Sequence, residues 1–292
     1  MVMLELRRLA LLHQFAVHGT IAATAAASGY SASAVSQQLS VLEREVGRTL
    51  LERTARSATL TEAGHTLAAH AAVILDAAEA AEADLAGTSV RGRVVVSTIP
   101  TAAAAWASAL IEVSRAHPDL ELVVHQHSPD EALRRLRTRE TDLAVVDEWS
   151  NHIPREPGLH RRELHRDPLY LTGDPAGGTW LCAPPDQPSR PGTDRLLREL
   201  GIEPAVRWEF DGLPMIAALV ARGAGAAILP GLALAGTGLP ATPLDRHRRI
   251  DAVLRQGSRT RPAITAVLNA LHTFVTNTAK VANPADSGGV AR

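Results

Sequence analysis

The sequence predicts a multi-domain α+β chain in three parts: a small helical head, one long helix and a two-lobed α/β body. Three observations predict it. Helical patterns broken by glycine turns, then a strand–turn–strand, fill residues 1–61. A seam of small apolar residues follows from Thr61 to Gly87. Beyond it, strand and helix patterns alternate in two sets, interrupted at 149–160 by Pro, charge and His.

Composition narrows the classes. The 292 residues carry a net charge of −1 and are 46% hydrophobic, which fits two or three globular domains. Aromatics at 3% argue against a stacking platform for single-stranded nucleic acid. Cys182 is the lone cysteine, so no disulfide closes within the chain, and a reducing compartment fits. Glu5, Arg7 and Arg8 cut the N-terminal apolar stretch, so it does not read as an export signal. Asp76, Glu79, Glu82 and Asp84 interrupt the Ala-rich stretch and exclude a membrane span there. The expectation is a cytoplasmic protein without a membrane partner. Charge is graded: 1–61 carries +2 and 62–90 carries −5. That gradient alone is not a nucleic-acid footprint.

In the head, Leu6, Leu9, Leu12 and Ala16 recur at helical spacing over 5–17. Gly19 ends that helix and Thr20 caps a short one. The turn Ser28-Gly29-Tyr30-Ser31 leads into a helix over 32–46, making a helix-turn-helix. Val35, Leu39, Leu42 and Val46 form its buried stripe. Ser31, Ser33, Ser36, Gln37 and Ser40 offer short polar groups for DNA contact, Gln being able to pair bidentately with adenine. The same face also suits the solvated side of an ordinary helical hairpin. Residues 50–61 read as a β-wing, with Arg53 and Arg56 near its tip for phosphate or minor groove.

On these residues the chain resembles the LysR-type transcriptional regulators. The likeness runs through His18-Gly19-Thr20-Ile21-Ala22-Ala23-Thr24-Ala25-Ala26 and Gly29-Tyr30-Ser31-Ala32-Ser33-Ala34-Val35-Ser36-Gln37-Gln38-Leu39. It continues through Leu42-Glu43-Arg44-Glu45-Val46-Gly47, Leu50-Leu51-Glu52-Arg53 and Leu60-Thr61-Glu62-Ala63-Gly64. The resemblance implies a winged helix-turn-helix DNA-binding domain over 1–61, a linker helix over 62–90 and an effector-binding domain over 91–282. The wing departs from the pattern: Ala55, Ser57 and Ala58 leave Arg53 and Arg56 as its cations, so fewer phosphate contacts are expected.

In the linker, Leu67, Ala71, Ile74, Ala78, Ala81 and Leu85 alternate by four and three, an a/d seam spanning about 40 Å. An amphipathic helix lying on its own core would share this pattern, but the length and acidic outer face favour pairing. The resemblance implies the same role, giving a homodimer or, by pairing of dimers, a homotetramer.

The body begins with a strand over 93–98 and a helix over 101–117, then a strand over 120–125, a helix over 129–140 and a strand over 142–147. The second set has strands at 169–171, 180–183 and 206–210, and helices at 193–200 and 213–222. Residues 223–230 resemble the family's turn–strand–proline signature. They are not a dinucleotide fingerprint, because a strand follows and the third glycine is missing. A helix over 261–279 returns to the first lobe, and the tail over 283–292 is expected to be disordered. The first lobe is expected at 91–152 and 258–282, the second at 153–257. Two such lobes resemble the periplasmic-binding-protein architecture, with ligand held between them at strand ends. Candidate effector contacts are Ser97, Thr98, Thr101, His127, Ser128 and Asp211. Thr101 and Ser128 also suit plain helix caps, and so does Asp211.

His125-x-His127 and the pair His65 and His70 lack a thiolate or His-Glu-x-x-His partner, so no metal is expected. No Gly-x-Ser-x-Gly, Walker loop or other cofactor motif occurs, and Cys182 sits in an apolar strand. The expected function is sequence-specific transcriptional regulation of double-stranded DNA, modulated by a small-molecule effector, without catalysis. The alternatives are a two-lobed small-molecule-binding protein or enzyme, and an effector-independent DNA-binding protein.

Overall fold

The computed structural model describes residues 4–54, 57–85, 87–149 and 156–281, with side chains to residue 273. Arg56, residues 150–155 of the 149–160 crossover and the 283–292 tail lie outside the described residues.

The head contains α1 (Leu6–His18), α2 (Ile21–Ser28) and α3 (Ala32–Val46), then β1 (Leu51–Arg53) and β2 (Ala58–Leu60). Each helix ends on a glycine, Gly19, Gly29 or Gly47, in the left-handed region, where a side chain would cost energy. Thr20 and Ser31 cap α2 and α3 by accepting N–H bonds from Ala23 and Ala34. Leu9, Leu12, Phe15, Val35, Leu39 and Leu42 form the core beneath. Glu43 ties the wing to α3: one carboxylate oxygen accepts the Leu50 and Leu51 N–H groups at 2.9 and 3.0 Å. The linker helix α4 (Glu62–Leu85) starts against that wing. A Cβ on Gly64 would stand 2.2 Å from the Leu50 carbonyl, so only glycine fits this approach.

The body strands and helices follow in order: β3 (Gly92–Thr98), α5 (Pro100–Ala116), β4 (Leu120–Gln126), α6 (Pro129–Arg137), β5 (Leu143–Glu148) and β6 (Leu159–Thr172). Then come β7 (Thr179–Cys182), α7 (Ser189–Glu199), β8 (Val206–Glu209), α8 (Leu213–Val220), β9 (Ala227–Pro230), α9 (Gly231–Leu234), β10 (Ala241–Arg255) and α10 (Pro262–Val281). A six-stranded sheet has the order β4-β3-β5-β10-β6-β9, with β3 parallel to β4 and β5, and β10 antiparallel to β5 and β6. β7 and β8 form a separate parallel pair.

β6 and β10 pass through both lobes, and this revises the expected boundary. Leu164, Ile250, Ala252 and Leu254 pack in the first lobe's core with Val94, Trp106 and Ile264. Leu169 packs in the second, with Trp180 and Ile228. The division therefore falls inside the two strands and not at 153 and 257. β6 also begins at Leu159, ten residues before the expected strand, and β10 has no counterpart among the sequence expectations. Both segments carry polar runs, His160–Glu163 and Asp245–Arg249, in place of a continuous apolar run, and their charges are paired along and between the strands. Arg161 and Arg249 reach Asp251 at 3.5 and 2.7 Å, and Arg166 reaches Glu163 at 2.9 Å.

Candidate DNA-reading face and interlobe cleft

Ser33 and Gln37 are exposed on the N-terminal half of α3, while Ser36 and Ser40 are half-buried. Ser31 is committed to its cap and lies 3.0 Å from the Ser33 hydroxyl. Arg53 is held from the side: its guanidinium donates to Glu43 at 2.7 Å and to Ser40 at 3.2 Å. Burial pushes the Glu43 carboxyl up, but the Leu51 and Leu50 N–H groups and Arg53 outweigh it and hold it below the usual range. Arg44 and Arg48, both exposed, share a surface hollow with Ser40 and Arg53. Arg48 was not among the expected contacts. The signal was available: a cation directly after the helix-ending Gly47.

Between the lobes lies a cavity of about 190 Å³. Thr101, His127, Ser128 and Asp211 line it. Ser97 and Thr98 do not. Ser97 is fully buried behind the wall, 2.9 Å from His127 Nδ1 and 2.7 Å from the Thr141 hydroxyl, so it orients the imidazole. The Thr98 hydroxyl is buried and donates to the Ile99 carbonyl. Burial, helped by Arg135, lowers the His127 pKa, so the ring is neutral near pH 7. Ser128 both lines the cavity and caps α6, accepting the Glu131 N–H at 3.4 Å. Thr101 is no cap: it lies inside α5 and accepts an N–H bond from Arg248 at 2.7 Å.

Arg248 forms the floor where β10 crosses between lobes. It donates to Asp167 from Nε at 2.9 Å and Nη2 at 2.8 Å, and to Asp147 from Nη1 at 2.8 Å. Trp149 lies 5.5 Å from the guanidinium and donates to the same Asp147 oxygen. Two carboxylates around one cation leave this cluster one negative charge in excess. Sequence reasoning missed Arg248 because β10 was not legible as a strand. Asp147 stands one residue before the end of β5, so the strand-end rule that pointed to His127 pointed there too.

Comparison with known proteins decides the family. The family model "LysR substrate binding domain" matches residues 87–275, and "Bacterial regulatory helix-turn-helix protein, lysR family" matches 6–65. This chain belongs to the LysR family of transcriptional regulators. The nitrogen assimilation regulatory protein nac of Escherichia coli K12 is 30% identical over 213 residues, 68% of each chain. A full-length OxyR variant from Pseudomonas aeruginosa shares the fold at a TM-score of 0.67 and 20% identity, covering 92% of this chain and 95% of that one. ArgP from Mycobacterium tuberculosis aligns at 0.62 and 19%, covering 94% and 98%. The winged head is thus the DNA-binding domain of a LysR-type regulator and the two-lobed body its effector-binding domain. Among the described residues, no helix is long and apolar enough to cross a membrane.

The linker helix of this LysR-type regulator divides its expected seam. Ala71 is fully buried in the head's own core, and Leu67 packs against that core. Ala78 is half-buried. Ile74, Ala81 and Leu85 face outward, as does Val73 at 68% exposure. Cys182 is buried, which pushes its thiol above the usual range and makes it a poor nucleophile.

Proposed function

We propose that α3 enters the major groove with Ser33, Ser36 and Gln37 toward base edges, while Arg44, Arg48 and the wing cations Arg53 and Arg56 meet phosphates. Exposure of Ser33 and Gln37 at the start of the helix supports this. The effector occupies the interlobe cavity, contacting Thr101, His127, Ser128 and Asp211, with Ser97 and Thr98 supporting the wall from behind. Asp211 has no ion-pair partner among the described residues and is free to meet a polar group of the ligand. Two copies pair through the outward ridge of Val73, Ile74, Ala81 and Leu85. The protein works in the cytoplasm as a regulator and not as an enzyme.

The observation that carries the effector reading is the cavity, with polar groups from both lobes on its wall. A thermal-shift screen of small polar metabolites tests it. A hit whose stabilisation is lost in Thr101→Val and in Asp211→Ala supports the cleft. A hit unaffected by either substitution places the effector elsewhere.

A further inference from the structure

The helix α6 has one end at the cleft and the other on the DNA-binding head. At its N-terminus, Ser128 and Pro129 line the cavity. At the C-terminus, the carbonyls that a helix leaves unpaired are taken by side chains from elsewhere. Arg255 donates to the Leu136 carbonyl at 3.0 Å. His13 Nε2 donates to the Arg137 carbonyl at 3.0 Å, and Gln14 to the Thr138 carbonyl at 3.1 Å. His13 and Gln14 belong to α1, so the head itself caps this helix. One turn back, Arg134 donates to His18 Nδ1, at the end of the same α1, at 3.0 Å.

The loop after α6 is bolted to the linker as well. Arg139 is the one non-glycine residue with positive φ, 66°, among the described residues. Such a conformation persists only where surrounding contacts hold it. Here Arg139 donates to Asp76 at 2.7 Å and to Glu79, both on α4. Arg255 grips Glu79 with two further bonds at 2.9 and 2.8 Å. The apolar face of α6, Ala132 and Leu136, is fully buried against Ala144, Val146 and Val253 of the sheet. The helix is short, about 13 Å at the usual rise, and is bonded internally along its length. A displacement at one end is therefore carried to the other.

We propose that α6 is an intrachain strut coupling the interlobe cleft to the DNA-binding head, so that a ligand seated at Ser128 and Pro129 alters how firmly α1 is docked. This rests on the reading of the cleft as the effector site. Docked and released states differ little in hydrogen-bond number, because water replaces His13 and Gln14 on the freed carbonyls. A modest preference of the ligand for one state is then enough to shift the population.

Hydrogen exchange of the full chain tests the strut from both ends, without an effector. Gln14→Ala loosens the head end and Ser128→Gly the cleft end. Coupling is reciprocal, so each substitution is expected to accelerate exchange at the far end: residues 126–131 for Gln14→Ala and 8–18 for Ser128→Gly. The expected change is about fivefold, that of one lost hydrogen bond. Residues 179–199 of the second lobe stay unchanged. Acceleration confined to the substituted end overturns the proposal. If either variant speeds exchange in 179–199 too, Arg139→Gly, which suits the positive φ and removes only the latch, replaces it with the same two readouts. A cleft that binds no effector leaves this result untouched, and a strut that fails leaves ligand binding in the cleft untouched.

Discussion

Replacing Arg248 with Met keeps the apolar stem and removes the guanidinium. The loss is four hydrogen bonds, two to Asp167 and one each to Asp147 and Thr101. Asp167 is 1% exposed and Asp147 has a side chain 9% exposed, so neither charge gains water in compensation. Asp167 keeps one N–H bond from Leu232, and Asp147 keeps Trp149. Stranding a buried charge costs about 3–5 kcal/mol, a large part of the 5–15 kcal/mol that holds a typical domain together. Urea unfolding followed by tryptophan fluorescence measures this, with Trp149 beside the changed residue. Adding Asp167→Asn should restore part of the loss. A cost under about 1 kcal/mol, or a double variant no more stable than the single one, would refute the reasoning.

Other predictions follow from single contacts. Gln37→Ala should relax preference at one base pair by about 1–3 kcal/mol, read as binding to a panel of single-base operator variants; equal loss on every duplex would remove Gln37 from base readout. Ile74→Asp should convert dimers to monomers in light scattering, and an unchanged mass counts against the outward ridge of α4. Glu131 is held at a pKa of about 2, chiefly by its hydrogen bond with Arg134. Its stabilisation is present above the ordinary glutamate pKa and is lost as pH falls toward about 2. Glu131→Gln should flatten the acid limb of the stability curve there, and an unaltered limb contradicts the pairing.

The head was legible because its boundaries are written in residue types with one local job. Gly19, Gly29 and Gly47 stop helices, and Thr20 and Ser31 start them. The strands β3 and β5 were legible as short apolar runs buried in the sheet. β10 and the first half of β6 were hidden because their charges are satisfied by pairing, Asp251 with Arg161 across strands and with Arg249 on its own strand. Nothing local in Arg248 foretells that partner set. The cleft was half-legible for a related reason. Strand ends pointed to Thr101, His127 and Ser128, but burial alone separates Ser97, which orients, from His127, which faces the cavity. On α4, one periodicity served two masters: Ala71 fills the head's core, while Ile74 and Leu85 turn outward.

The most direct test of sequence-specific recognition is fluorescence anisotropy of the full chain across a salt series. The probe is a duplex selected from a random pool by this protein, set against its shuffled sequence. Specific readout by α3 predicts tighter binding to the selected duplex by a factor of about a thousand or more, and loss of most of that ratio in Ser33→Ala/Gln37→Ala. Equal, weak and steeply salt-dependent binding to both duplexes would leave only phosphate attraction and contradict it.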